Sequence, residues 1–264
     1  MPEPSPQIVT LTTDFGTGSG YVAELKGRLL RARRPFTIVD IAHDVPAHDV
    51  RAAAWLVARA CPAFPPGSLH VIVVDPGVGT ARRIVWVKAG GQEYLAPDNG
   101  VLSRVLAATP ADEARVLPVP SDASTTFHGR DVLAPVAASL LEGTAPELLG
   151  PPLASLGPAA ALTTFPIPAP REMAAGIEGE VVAIDAFGNL LTNLPADLRP
   201  RLVAAGRLIV GDHEIARIVG TYGDAPPGTH VALVGSQGVI EAAVVQGRAD
   251  ASLAARIGTR VFLP

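Results

Sequence analysis

The sequence predicts an α/β domain with a largely parallel central sheet, followed by a smaller all-β barrel domain. In the first part of the chain, short apolar strands alternate with helical segments, and this order gives parallel neighbours in one sheet. A stretch rich in proline and alanine comes next. Beyond it, short apolar segments separated by glycine or proline turns recur without helical spacing, which is typical of a small barrel or sandwich.

The elements of the first domain follow from their apolar periodicity. Val71 to Val74 is an unbroken β-branched run, which suits a strand buried on both faces of a parallel sheet. Tyr21 to Arg34 has an apolar side and a basic last turn, so it predicts a helix. Asp49 is the predicted N-cap of a helix that runs to Ala60. The remaining predicted elements are strands Ile8 to Thr12 and Phe36 to Ile41, a hairpin of Ile84 to Lys88 with Glu93 to Ala96, and helices Val101 to Ala107 and Val132 to Leu141.

A connector is predicted between the two domains. Gly143 to Pro170 has many prolines and no basic residue, so it predicts extended chain. We assign residues 1–165 to the α/β domain, 166–178 to a linker and 179–264 to the barrel. The predicted barrel strands are Gly179 to Ile184, Leu208 to Val210, His213 to Ile218, His230 to Val234, Val239 to Val245 and Thr259 to Phe262.

Composition and charge exclude several classes of protein. The 264 residues include 48% hydrophobic and 17% charged side chains, with a formal net charge of −4. This charge gives no electrostatic footprint for nucleic acid or for an anionic membrane. The single cysteine, Cys61, excludes an internal disulfide and a cysteine-based metal cluster. Because the N-terminus lacks signal-peptide features and no run reaches membrane-spanning length, we expect a cytoplasmic protein.

Ionisable side chains follow two of the predicted strands. Asp14 comes after the first strand, and Asp75 comes directly after the buried run Val71 to Val74. Ligands of open α/β sheets bind beyond the carboxyl ends of the strands, so both carboxylates are candidates for ligand contact. An aspartate that only caps a turn gives the same local pattern. His128 precedes a predicted helix and is a third candidate.

The candidate residues support two kinds of chemistry. A metal site is one alternative, because imidazoles and carboxylates suit zinc, manganese or magnesium, but neither HExxH nor HxH spacing occurs. The other is metal-free: Asp75, an arginine and His128 handle a water or an anion, while Asp14, Asp185 and Asn189 hold a polar ligand by its hydroxyls. The arginine is Arg82 or Arg83. The metal alternative draws on His43, Asp44, His48, Asp49, Asp75 and His128.

Six motifs in order carry a resemblance to a known family. They are TTDFG at 12–16, IVDIAHDVP at 38–46, VVDPGVGTARR at 73–83, APDNG at 96–100, TFHGRD at 126–131 and DAFGNLLTN at 185–193. Together they resemble the S-adenosyl-L-methionine hydroxide adenosyltransferase family, which is related to the fluorinase and the chlorinase. The resemblance implies an N-terminal α/β domain, a smaller C-terminal β-barrel, and a homotrimer with the substrate between domains of neighbouring subunits.

The resemblance also implies a reaction. Water attacks the 5′ carbon of S-adenosylmethionine, and adenosine and L-methionine are released with no cofactor and no metal. The implied catalytic residues are Asp75, Arg82 and His128, and Arg82 fits the family's spacing better than Arg83. On this basis Arg82 polarises the water, while Asp75 and His128 position it and accept its proton.

Substrate contacts are implied by the same motifs. The resemblance implies that Asp14 contacts the ribose hydroxyls and that Asp185 and Asn189 contact the methionine end. It also implies that Phe187 packs on the adenosine. Ser236 matches a segment that contacts the amino-acid carboxylate. Gln237 stands where the fluorinase has an arginine, so the resemblance leaves the partner of the carboxylate open. His48 stands where the fluorinase has a tryptophan on the ribose, so that ribose contact is not assigned to His48.

Two other functions are weighed against hydrolysis. Halide transfer is disfavoured because the halogenating relatives differ at the positions of Asp75 and Gly129, and a buried carboxylate repels a halide. A non-catalytic adenosine or S-adenosylmethionine sensor is the second, but a sensor has no need of a catalytic triad.

Overall fold

The computed structural model describes residues 8–157 and 160–264, and the chain divides into two units between Pro166 and Ile167. Residues 1–7, on which the expectation about a signal peptide depends, lie outside the described residues, as does Pro158 of the predicted connector. Each unit has its own apolar core. The two units are therefore described separately.

The first unit contains six strands and four α-helices among its described residues. The strands are β1 (Ile8–Thr13), β2 (Thr37–Ala42), β3 (Leu69–Val73), β4 (Ile84–Ala89), β5 (Gln92–Pro97) and β6 (Ala111–Val116). The helices are α1 (Tyr21–Leu29), α2 (Val50–Ala60), α3 (Ser103–Ala108) and α4 (Ala134–Leu141). The predicted strand–helix alternation and the β4–β5 hairpin are confirmed.

The strands of this unit form one mixed sheet in the order β2-β1-β3-β5-β4-β6. The strands β2, β1, β3 and β5 are parallel neighbours, and β4 runs antiparallel to both β5 and β6. The predicted largely parallel sheet is confirmed. Because β1 and β3 are adjacent and parallel, their carboxyl ends lie at the same edge, and Asp14 and Asp75 follow those ends.

The β3 run is buried on both faces of the sheet. Val71 and Val73 pack into a core that includes Leu25 of α1 and Ala137 of α4. Ile72 and Val74 pack into a second core on the other face, against α2 and α3. Successive strand residues point to opposite faces, so an unbroken apolar run is what a two-sided core requires.

Two predicted helix boundaries have different outcomes. Asp49 caps α2 as predicted, because its side chain accepts a hydrogen bond from the Ala52 N–H at 2.9 Å. The prediction that α1 continues to Arg34 is wrong, since the helix ends at Leu29. Beyond the helix, the Arg33 and Arg34 N–H groups donate to the side chain of the distant Glu142, and Arg34 precedes Pro35, where helical conformation is disfavoured. Leu30, directly after the helix, is 67% exposed.

The predicted extended connector is wrong in its first half. Its first part contains 3₁₀ turns at Pro146–Leu148 and Leu153–Leu156. It also covers the edge of the sheet: the Val116 N–H donates to the Pro151 carbonyl at 3.0 Å, and the Arg115 guanidinium donates to the Gly150 carbonyl at 3.1 Å. The β6 strand that it covers lacks an apolar alternation, which is why the sequence did not predict it.

The second unit is an antiparallel, nearly closed sheet. Its strands are β7 (Arg171–Met173), β8 (Gly176–Ile184), β9 (Leu190–Pro195), β10 (Leu208–Val210), β11 (His213–Ile215), β12 (His230–Val234), β13 (Val239–Val244) and β14 (Arg260–Leu263). Their order is β11-β10-β14-β8-β9-β13-β12, with β7 paired to β8. A bridge between Ile218 and Ala232 links the segment after β11 to β12 and brings the two ends of the order together. The predicted barrel is confirmed.

Several elements of the second unit were not predicted. The β7 strand and the start of β8 lie within residues 166–178, which the sequence analysis assigned to a linker. The β9 strand was missed, as were the short helices α5 (Arg199–Ala205) and α6 (Ala249–Ser252). Across the described part of the chain, no helix has the length and apolar character that membrane spanning demands.

Candidate active site

Three predicted side chains meet at the end of β3. The Arg82 Nε donates to both carboxylate oxygens of Asp75 at 2.9 Å. The Arg82 Nη2 also contacts Asp75 and lies 2.8 Å from the His128 Nδ1. The side chains of Asp75 and Arg82 are 8% and 10% exposed, and His128 is 6% exposed. A single guanidinium therefore holds the carboxylate and the imidazole in one nearly buried cluster.

The contact with Arg82 determines which ring nitrogen of His128 carries the hydrogen. A guanidinium N–H can only donate, so the His128 Nδ1 must accept with its lone pair. The neutral ring then carries its hydrogen on Nε2. Burial and the neighbouring Arg82 charge lower the pKa of His128, against the opposing effect of Asp75 and Asp131. The imidazole is accordingly neutral at pH 7 and presents an N–H donor.

Close packing of two loops brings Arg82 to His128. Gly79 has φ of +78°, and a Cβ at this position would lie 2.4 Å from the backbone oxygen of Thr125. Only glycine adopts this conformation without strain and leaves room for the approach. The loop after β3 thus packs directly on the segment that precedes His128.

The APDNG motif supports the same loop. The Asn99 side-chain amide donates to the Val74 carbonyl at 2.9 Å, immediately before Asp75. Arg83 donates through Nε to Asp98 at 2.7 Å and through Nη2 to the Ala161 carbonyl at 2.6 Å. Arg83 is therefore engaged in a supporting ion pair, whereas its neighbour Arg82 contacts Asp75 and His128.

Asp14 lies at the adjacent strand end. Its Oδ2 accepts a hydrogen bond from the His48 N–H at 2.9 Å, and His48 has φ of 67°, which is unusual for a residue with a side chain. Asp14 and His48 line a cavity of about 250 Å³ together with Asp75 and His128. Arg82 does not line this cavity, so it acts on the cavity through the two side chains that it holds.

Aromatic rings form part of the same cavity wall. Phe15, Tyr21 and Phe127 contact one another edge to face, with centroid separations of 5.7, 5.5 and 5.2 Å. The sequence analysis assigned no role to these rings. Phe15 and Phe127 stand beside predicted site residues, but only the fold shows that they and Tyr21 meet. They make one side of the cavity apolar, which limits the water around the polar cluster.

Three of the six candidate metal ligands are engaged in separate contacts. His43 Nδ1 lies 2.9 Å from the Thr13 hydroxyl, and its Nε2 lies 3.1 Å from Asp40. Asp49 caps α2, and His128 contacts Arg82. Within residues 8–157 and 160–264, no group of three His, Cys, Asp or Glu side chains is arranged to hold one metal ion. The geometry thus gives no support to the metal alternative.

A second cavity, of about 720 Å³, lies in the second unit. Its lining includes all four predicted substrate residues of this unit: Asp185, Phe187, Asn189 and Ser236. Asp185 accepts hydrogen bonds at 2.9 Å from the backbone N–H groups of Phe187 and Asn189 and from the Asn189 side-chain amide. Phe187 is 75% exposed. Asp185 therefore shapes the turn that presents Phe187 and Asn189.

The lining residues that sequence analysis missed include Tyr222, Glu241 and Arg248. Glu241 had a detectable signal, because a carboxylate interrupts the apolar run of β13. Tyr222 and Arg248 lie in ordinary turn sequence and gave no signal. The Arg248 guanidinium pairs with Asp250 and donates to the Ala186 carbonyl at 3.0 Å.

The fold and the two cavities define a two-unit protein in which an α/β unit and a barrel-like unit each present a polar cavity. Two family models match the chain: the SAM hydroxide adenosyltransferase N-terminal domain over residues 9–150 and the C-terminal domain over residues 179–262. The chain belongs to the SAM hydroxide adenosyltransferase family, as the six motifs predicted.

Individual relatives agree with this assignment. The chain is 39% identical to a protein of Salinispora tropica named (R)-S-adenosyl-L-methionine hydrolase, over 98% of this chain and 97% of that protein. It is 29% identical to a fluorinase of Actinoplanes sp., over 74% of each chain. The crystal structure of an uncharacterized conserved protein from Thermotoga maritima superposes with a TM-score of 0.87 and 34% identity, over 97% of this chain and 98% of that one.

Gly79→Ala is expected to destabilise the protein by about 1–3 kcal/mol, because the new Cβ is strained at positive φ and collides with the Thr125 carbonyl. Urea denaturation measures the change. Gly18→Ala is the matched control, since Gly18 has no atom within 4 Å of an added Cβ, and its effect should stay within about 0.5 kcal/mol. Equal stability of the two variants would contradict the proposed loop contact.

Proposed function

We propose that this protein hydrolyses S-adenosyl-L-methionine to adenosine and L-methionine by attack of water on the 5′ carbon. The observation that carries the proposal is the Asp75–Arg82–His128 cluster, two of whose members line a cavity. Family membership and the 39% identity to a protein named (R)-S-adenosyl-L-methionine hydrolase support the choice of substrate.

The reaction is a displacement on an activated carbon. The water oxygen forms a bond to C5′ while the bond from C5′ to sulfur breaks, and its electron pair returns to the sulfonium to give the neutral thioether of methionine. The water loses one proton. The enzyme must therefore align a water, exclude other nucleophiles and provide a proton acceptor.

The contacts of the cluster suggest how these tasks are divided. Asp75 is the proton acceptor in the proposal, since its carboxylate lines the cavity and can accept a further hydrogen bond. His128 orients the water by donation from Nε2, because Arg82 occupies its Nδ1. This modifies the expectation from sequence that His128 accepts a proton. Arg82 does not line the cavity, so in place of the expected polarisation of the water we propose that it holds Asp75 and His128 in position.

The proposed substrate-binding residues belong to both units. We propose that Asp14 accepts hydrogen bonds from the ribose hydroxyls, because its carboxylate lines the cavity that contains Asp75. Asp185, Asn189 and Ser236 are proposed to bind the methionine end, and Phe187 to pack on the adenosine. Their common cavity in the second unit supports this grouping. The Asx-type turn formed by Asp185 leaves its oxygens partly engaged, so it acts on the ligand mainly through Asn189 and Phe187.

Halide transfer is the closest alternative. Two observations weigh against it. The Asp75 carboxylate on the cavity wall would repel a halide. Gly129 packs so tightly that a Cβ there would lie 2.9 Å from the Val73 Cγ1, so any residue with a side chain would be crowded at this position, where the halogenating relatives differ.

Three further features are proposed on the basis of family membership. The enzyme works without a metal or other cofactor, assembles as a homotrimer with active sites at subunit interfaces, and is cytoplasmic. The separate contacts of His43, Asp49 and His128 support the proposal that no metal is held by these residues.

The direct test is conversion of S-adenosylmethionine by the purified chain, followed by chromatography. We expect equal amounts of adenosine and methionine, with the rate unchanged in EDTA and no halogenated nucleoside in chloride or fluoride. Loss of activity in EDTA would instead support the metal alternative. Binding without turnover would support the sensor, and 5′-chloroadenosine as the main product would support the halogenase.

Arg82→Lys tests the role of the cluster. An ammonium group cannot contact both Asp75 oxygens and also reach His128, so kcat should fall about 100-fold. Arg83→Lys is the matched control: Arg83 pairs with Asp98 and not with the cluster, and lysine keeps the positive charge of that pair, so kcat should stay within about threefold. Equal effects of the two substitutions on kcat, with folding intact by circular dichroism, would remove Arg82 from the mechanism.

A further inference from the structure

A buried carboxylate in the second unit has no role in the mechanism above. Glu241 lies in the middle of β13, between buried Ile240 and Ala242, and is only 4% exposed. It lines the cavity that contains Asp185 and Asn189. Burial raises the pKa of the Glu241 carboxyl, and the nearby Asp185 raises it further. A glutamate is rarely buried in such a place unless its oxygens are hydrogen-bonded.

Both carboxylate oxygens of Glu241 have defined neighbours. Oε1 accepts the hydrogen of the Tyr222 hydroxyl. Oε2 packs on the backbone of Gly235, where an added Cβ would lie 2.0 Å away. Gly235 directly precedes Ser236, one of the proposed substrate residues. The carboxylate thus lies between the Tyr222 hydroxyl and the turn that contains Ser236.

The Tyr222 hydroxyl continues the network to Asn189. It has one hydrogen, which it gives to Glu241, so towards Asn189 it can only accept. The Asn189 Nδ2 lies 3.4 Å from this hydroxyl and donates to the Asp185 Oδ2 at 2.9 Å. Both amide hydrogens of Asn189 are then used. What Asn189 offers to a ligand is its Oδ1, which is an acceptor.

We propose that Glu241 is a positioning residue of the substrate site: through the Tyr222 hydroxyl it fixes the side-chain amide of Asn189, so that Asn189 presents an acceptor to an N–H or O–H group of the ligand. The proposal rests on the proposed function, in which this cavity holds part of S-adenosylmethionine. It concerns binding and not the chemical step, since the reacting cluster belongs to the first unit.

A double-mutant cycle tests the network. Tyr222→Phe and Glu241→Leu each remove one hydrogen-bonding partner, so each should raise KM for S-adenosylmethionine about fivefold to tenfold and leave kcat within about twofold. The double variant should be no worse than either single variant, because the same connection is lost. Glu241→Gln keeps an acceptor for the Tyr222 hydroxyl and should restore KM to within about threefold of the wild type. Glu214→Leu, at an exposed ion pair, is the control.

Several results would overturn the proposal. Additive effects in the double variant would show that the two residues act independently. A Glu241→Gln variant as weak as Glu241→Leu would mean that the charge, and not the acceptor, is required. A fall in kcat at constant KM would place the network in the chemical step. If Glu241→Leu does not fold, the contrast between Tyr222→Phe and Glu241→Gln gives the same decision.

Calorimetry separates this inference from the proposed function. If the wild type binds adenosine or methionine but does not convert S-adenosylmethionine, the proposed function fails. The double-mutant cycle is then measured through the Kd of the bound compound in place of KM. A normal turnover with none of the expected KM changes would overturn the network alone. A wild type that binds neither compound and shows no turnover would overturn both.

Discussion

The contact of one guanidinium with both a carboxylate and an imidazole is the interaction on which the rest of the site depends. Arg82 contacts Asp75 and His128 while its side chain is only 10% exposed. Removing one member of such a buried pair typically costs about 3–5 kcal/mol, because the remaining charge is left uncompensated. The three side chains therefore act as one cluster. The geometry of this cluster requires that two separate loops be held together.

A few specific contacts within the first unit provide that geometry. Parallel pairing of β1 with β3 places Asp14 and Asp75 at one edge of the sheet. Asn99 fixes the backbone at Val74, and Gly79 permits contact with Thr125. These contacts decide that Arg82, and not the adjacent Arg83, meets His128. In the second unit, Asp185 is a predicted ligand contact and also holds the backbone of its own turn.

The sequence predicted what depends on local periodicity and on motifs. The β-branched run of β3, the Asp49 cap and the β4–β5 hairpin all have strong local signals. The β6 strand and the end of α1 depend on neighbours distant in sequence, so their local patterns were misleading. Likewise, the family resemblance favoured Arg82 over Arg83, but only the fold shows the tautomer of His128 or the link from Glu241 through Tyr222 to Asn189.

The most direct test of this account is the protonation state of His128 in solution. Nitrogen-15 NMR of histidine-labelled protein, with His128→Gln to assign the signal, distinguishes the two neutral tautomers from the charged ring. At pH 7 we expect a neutral imidazole with its hydrogen on Nε2, and Arg82→Lys should abolish this preference. A charged ring, or a hydrogen on Nδ1, would show that Arg82 does not donate to His128 and would contradict the proposed arrangement.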